Sequence, residues 1–192
     1  MAAQSLRYFG GIMNRKVILS AACSFSLALG AVLFAAQQDK SKRPSPPAKA
    51  TCDLGAGSSI TVDYSSPRAK GRKIFGGIVP YGEVWRAGAN EATTFVTSTG
   101  LVVGDTHVPG GSYTLFAIPS ADKWTLIISK KTGEWGIPYP GENFDLARIP
   151  MSVSKTSAPV ENFTISFTKN GGGCVMHMAW ENTEASVNIS KM

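Results

Sequence analysis

From Ile60 onward the chain alternates apolar and polar residues with a period of two. Ile60, Val62 and Tyr64 are separated by Thr61 and Asp63, as in a half-buried strand whose side chains point to opposite faces in turn. Thr93 to Thr99 is rich in β-branched residues and stops at Gly100. Leu101-Val102-Val103 then meets Gly104-Asp105, a two-residue hairpin signal, and the return strand Thr106-His107-Val108 ends at Pro109-Gly110-Gly111. Tyr113 to Ile118 is apolar on both faces, which predicts a central strand. Trp124 to Ser129 is a further strand. Ala147, Ile149, Met151 and Val153 alternate again, with Pro150 restricting that strand to an edge or a bulge. Phe163, Ile165 and Phe167 share a face, and Asn170 to Gly173 reads as a hairpin loop. Cys174, Met176, Met178 and Trp180 share the next face, and Ala185, Val187 and Ile189 close the chain. With no sustained helical period, the pattern predicts an all-β antiparallel β-sandwich of about nine short strands.

One stretch breaks the alternation. Tyr64 to Thr94 is too irregular for a strand and too rich in Gly and Pro for a helix, so it predicts one long ordered connection, with a short helical turn near Gly82 to Trp85. Ile74, Phe75, Ile78, Val79, Tyr81, Val84 and Trp85 supply apolar anchors that a disordered linker lacks. A long ordered connection dense in specific side chains marks a place where function concentrates.

Composition changes this picture mainly at the N-terminus. Asn14-Arg15-Lys16, the uncharged run Val17 to Phe34 and the small pair Ala35-Ala36 read as a signal peptide over residues 1–36, with Met13 an alternative start. Cleavage is preferred over an uncleaved anchor, and a membrane role arises only through this segment if it stays attached. A lipid-anchor role for Cys23 is set aside because the apolar run before it is short. Removing Arg7, Arg15 and Lys16 from the 19 basic residues leaves 16 against 13 acidic ones, a net +3 that gives little reason to expect nucleic acid. Residues 37–51, with Pro44, Pro46 and Pro47, read as a disordered Pro-rich tether, and residues 52–192 as the folded domain. Export to the periplasm or beyond leaves Cys52 and Cys174 as an even pair in an oxidising compartment, and a disulfide between them is expected.

The runs YSSPRAKGRKIFGGIVPYGEVWRAGANEATT, PGGSYTLFAIP, WTLIISKKTGEWG, PVENFTISF and WENTEASV resemble the bacterial domain-of-unknown-function family twenty-nine-eleven. The resemblance covers nearly everything from Tyr64 to Ile189. It implies an exported or lipid-anchored β-rich protein, and it brings no activity, substrate or catalytic residue with it.

The candidate chemistry lies in the long connection. Arg68, Arg72, Tyr81, Trp85, Arg86, Asn90 and Glu91 are the expected ligand-binding residues, since guanidinium forks suit carboxylates or phosphates and flat aromatics suit sugar or ring faces. The competing expectation is that Arg86 and Glu91 pair with each other, or bond backbone groups, to hold the loop in shape. Recognition of a small molecule, glycan or envelope protein is therefore the leading function. A hydrolase-like enzyme using the acids and arginines of this segment is the runner-up, and a structural envelope module is the third reading. The sequence has no G-x-S-x-G, H-E-x-x-H or P-loop motif, so no catalytic residue is named. No cofactor is expected and no metal. Cys174, Met176 and Met178 share a strand face and are soft ligands, but such a face is more often core. Cys174 and His177 point to opposite faces. Two N-x-[ST] matches, at Asn162 and Asn188, are treated as chance.

Overall fold

In the computed structural model, residues 39–192 are described; the expected signal peptide lies outside them. The described residues form nine antiparallel strands: β1 (Pro47–Gly55), β2 (Ser58–Ser65), β3 (Thr93–Thr97), β4 (Leu101–Val103), β5 (Thr106–Val108), β6 (Gly111–Ile118), β7 (Lys123–Ser129), β8 (Asp145–Asn170) and β9 (Gly173–Lys191). They hydrogen-bond as one open sheet in the order β1-β2-β3-β6-β7-β8-β9-β4-β5. The only helical pieces among these residues are 3-10 turns at Lys40–Lys42 and Glu142–Phe144.

The alternation places the core as expected. Ile60, Val62, Phe95, Leu115, Leu126, Ile149, Met176 and Met178 are buried together, so the Met-rich face of β9 is core. Each fully buried Ile or Leu side chain contributes roughly 1.5–3 kcal/mol from the area it removes from water. β6 lies between β3 and β7, inside the sheet. Ala56-Gly57, Gly104-Asp105 and Gly171-Gly172 turn three tight hairpins. Pro150 pairs with Thr125 of β7, while pairing to β9 begins only at Ser152. The missing amide hydrogen therefore falls where β8 has a neighbour on one side.

Two features differ from the sequence reading. The domain does not wait for Cys52: β1 starts at Pro47 and pairs with β2 from Pro47↔Ser65 to Cys52↔Ile60, so the expected tether over 37–51 runs into the sheet. Ala50, Cys52 and Leu54 form its buried face, while Lys49 faces outward and pairs with Asp63 at 3.2 Å. Proline at the first strand position costs little, and the polar outward face gives the stretch a tether-like composition. In addition, β8 and β9 are not short. Each spans what alternation divides into two strands, 26 and 19 residues long. Register shifts between Lys155, Val160 and Thr164, facing Glu181 at φ 56°, bend the pair without ending it.

The bend brings the distal half of the β8–β9 hairpin against the β1–β2 end of the sheet. Cys52 of β1 and Cys174 of β9 are joined by a disulfide across a sequence separation of 122. The Tyr64 hydroxyl accepts from the Ile165 amide at 3.0 Å and donates to the Ile165 carbonyl at 3.4 Å, and the Lys169 ammonium donates to the Asp53 carbonyl. A sheet folded over in this way is compatible with the expected sandwich, although hydrogen bonding defines a single sheet.

Candidate functional site

The connection from β2 to β3 is fastened along its length. Ser66 donates from its amide to Pro46 and from its hydroxyl to the Phe163 carbonyl at 2.7 Å. The Ala69 amide bonds the Glu161 carbonyl. Two glutamates of the β8–β9 bend then hold the next turn: Glu161 accepts from the Lys70 amide at 2.9 Å and Glu181 from the Ile74 amide at 3.2 Å. Trp85 and Ala117 exchange both backbone bonds at 2.8 Å, and Gly82 donates to Pro119. The helical turn expected at Gly82–Trp85 is instead a tight turn followed by this one-residue bridge, because β6 offers the backbone partners a helix would otherwise supply.

Side chains of the same segment enter the core. Phe75 lies edge-on to Trp124 at 4.7 Å. The half-buried Trp85 stacks on Trp180 at 6.0 Å with 20° between planes, and meets Phe163 edge-on at 4.9 Å. Offset-stacked and edge-to-face arrangements of this kind favour ring packing beyond the area they bury. The expected stacking platform at Trp85 is therefore used inside the protein.

Most of the polar candidates are also engaged internally. Arg68 donates to the Ser66 hydroxyl at 3.0 Å. Arg72 bonds the Ala69 carbonyl at 3.0 Å and the Arg68 carbonyl at 2.6 Å. Arg86 bonds the carbonyls of Asn90 at 2.6 Å and Trp135 at 3.2 Å, and burial lowers its pKa from the ordinary value. Asn90, at φ 55°, donates to the Ser45 carbonyl at 2.8 Å. Glu91 pairs with Arg43 at 2.9 Å and Lys40 at 3.1 Å rather than with Arg86. Its own backbone amide, then Arg43 and Lys40, hold its carboxyl at about 2. Tyr81 remains 46% exposed, beside Gly76. Arg68 and Arg72 border one cleft of about 230 Å³, and Glu91 borders a separate one of about 160 Å³. Neither includes Arg86.

Arg86 leads instead to the loop between β7 and β8. This loop is tied at its base, where the Lys130 amide bonds the Phe144 carbonyl and the Ala92 amide bonds the Glu134 carbonyl. The Tyr139 hydroxyl donates to Asp145 at 2.5 Å, and Tyr139 lies edge-on to Phe116 at 5.2 Å. Burial, then the bond to Asp145, raises the Tyr139 pKa. Arg148 adds bonds to Asp145 at 2.8 Å and to the Tyr139 oxygen at 3.2 Å, and the Asp145 carboxylate raises its pKa first. Above this framework Trp135 is 53% exposed and Ile137 64% exposed. The Arg86 guanidinium lies 5.8 Å from the Trp135 ring centre, within cation–π range. Trp135 and Tyr139 stand out in the sequence as aromatics in a Gly/Pro loop. The link of Trp135 to Arg86 does not, because the two lie 49 residues apart.

Residues 45–189 match the family described as Protein of unknown function (DUF2911), and the chain belongs to that family. The matched stretch begins two residues before β1 and ends within β9, so it coincides with the folded domain. No curated protein matches the chain. No solved structure matches it either.

Proposed function

We propose that this family member acts as an exported binding module that docks a partner protein on the exposed patch formed by Trp135, Ile137 and Pro138, with the 64–94 segment as the scaffold behind it. The observation that carries this reading is the exposure of Trp135 and Ile137, 53% and 64%, on a loop hydrogen-bonded at its base and braced by Arg86. Trp and Arg are enriched among the residues that dominate protein interfaces, and a pre-ordered loop loses less entropy on binding. Small-molecule sites are concave and enclose most of their ligand, whereas Trp135 and Ile137 are more than half exposed. A protein with a complementary apolar recess suits these exposed side chains, which line none of the clefts described, better than a small molecule does.

Export rests on the basic-then-apolar N-terminal pattern and fits the Cys52–Cys174 disulfide. The hydrolytic alternative draws no support from Arg86 and Glu91, which are committed to carbonyl, guanidinium and ammonium partners.

A photo-crosslinking residue at position 137 in living cells tests this. One discrete protein adduct is expected, lost in Trp135→Ala and absent when the crosslinker replaces Val96, exposed on β3. No adduct from position 137, or the same adducts from both positions, would overturn the proposal. Protection of Trp135 fluorescence by soluble glycans without any protein adduct would replace the partner class.

A further inference from the structure

Outside the long segment, three side chains of the β8–β9 hairpin form a hydroxyl–imidazole–carboxylate relay. The Thr168 hydroxyl oxygen lies 2.9 Å from His177 Nε2, and His177 Nδ1 lies 3.0 Å from Glu184 Oε1. Thr168 is on β8; the other two are on β9, seven residues apart, on either side of Glu181 at φ 56°. The bend is what allows one strand to supply both the imidazole and its carboxylate.

The geometry fixes the roles. Glu184 has only acceptor oxygens when ionised, so in the neutral imidazole Nδ1 carries the proton and donates to it, leaving the Nε2 lone pair to accept from the Thr168 hydroxyl. That is the orientation in which an imidazole acts as general base on a weak nucleophile. The imidazole side chain is 18% exposed and the carboxylate 33%, so the pair is partly shielded while the Thr168 residue is exposed. A groove of about 280 Å³ opens on β9, lined among others by Val175, Ser152, Ser186 and Asp105 and by none of the three relay residues themselves. Val175 is the cross-strand partner of Thr168, and Ser186 stands two residues from Glu184 on the same strand.

We propose that Thr168 is an activated nucleophile, with His177 as its base and Glu184 as the residue that positions His177, and that the relay hydrolyses small polar carboxylic esters that reach the exposed Thr168 hydroxyl. The Thr168 oxygen bonds to the acyl carbon as its proton passes to His177 Nε2. The bond from the acyl carbon to the alkoxy oxygen then breaks, and the leaving alkoxide takes that proton to depart as the alcohol. Water, losing a proton to the same nitrogen, attacks the acyl-threonine, which releases the carboxylic acid and restores the hydroxyl. This activity is separate from the docking patch, and neither depends on the other.

The test treats the folded protein with a fluorophosphonate, which would form a phosphorus–oxygen bond at Thr168 and release fluoride. Intact mass and peptide mapping should show one adduct, on Thr168. Thr168→Val should abolish it and Thr168→Ser should keep it. His177→Gln should slow labelling by about a hundredfold, the range of general-base catalysis, and Glu184→Gln should slow it by at least about tenfold while leaving the melting temperature within the wild-type range. Turnover of p-nitrophenyl acetate should follow the same order. An unlabelled Thr168, a label elsewhere, or a labelling rate unchanged in His177→Gln would overturn the proposal; Thr168→Ser and Glu184→Gln keep the test valid if Thr168→Val does not fold.

Discussion

Replacing Trp85 with Ala separates packing from recognition at the residue where the two expectations differ most. The ring stacks on Trp180 and meets Phe75, Trp124 and Phe163 edge-on, all within 6.2 Å. Truncating a large aromatic in a core costs about 3–5 kcal/mol. Trp85 is half-buried rather than fully buried, which places the loss near the lower end, about 3 kcal/mol. For a folded unit spanning Lys40–Met192, 1 kcal/mol corresponds to about 2–4 °C in melting temperature, so a fall of about 6–12 °C is expected. Calorimetry and urea titration of both proteins measure it, with an unchanged denaturant slope if only stability has moved. A loss below about 1 kcal/mol would refute the packing argument and return Trp85 to the role of an open stacking platform.

The disulfide and the acid pair give two further outcomes. Closing the loop between Cys52 and Cys174, 122 residues apart, corresponds to about 5 kcal/mol of denatured-state entropy on the chain model, and losses of native disulfides run at about 2–5 kcal/mol; the Cys52→Ala/Cys174→Ala protein should lose stability in that range by urea titration, and a loss under about 1 kcal/mol would contradict it. Glu91 is held at about 2, below its ordinary 4.5, so its contribution is complete above about pH 4.5 and disappears as pH falls through about 2. Its side chain is 40% exposed, and solvent screening limits the effect to about 1 kcal/mol or less. The stability difference between wild type and Glu91→Gln, read from urea midpoints, should therefore shrink on acidification below pH 4.5; a difference that grew would contradict the assigned ion pairs.

Strands with one buried and one wet face were legible because alternation reports burial directly, as Ile60–Tyr64 illustrates, and the central strand Tyr113–Ile118 was legible because it is apolar on both faces. β1 was not, since Pro47 and Lys49 lend a sheet-edge strand the composition of a tether. The continuity of β8 and β9 was hidden because bends at Val160 and Glu181 interrupt the period without interrupting the strand. At the site, the residue types of the 64–94 segment were legible but their partners were not. Glu91 binds Arg43 and Lys40 from the N-terminal approach to β1, and Arg86 reaches a carbonyl 49 residues away. Thr168, His177 and Glu184 come together only through the strand bend, which local spacing does not encode.

Native-state hydrogen exchange tests the central claim, that the 64–94 segment is fixed scaffold. The amides of Ala69, Val79 and Trp85 each bond a backbone carbonyl. They should exchange with free energies close to that of global unfolding, as should the amides of β2 and β6. Exchange of the Trp85 and Ala69 amides several kcal/mol more easily than those strands would mean that the segment opens on its own, and would contradict the account.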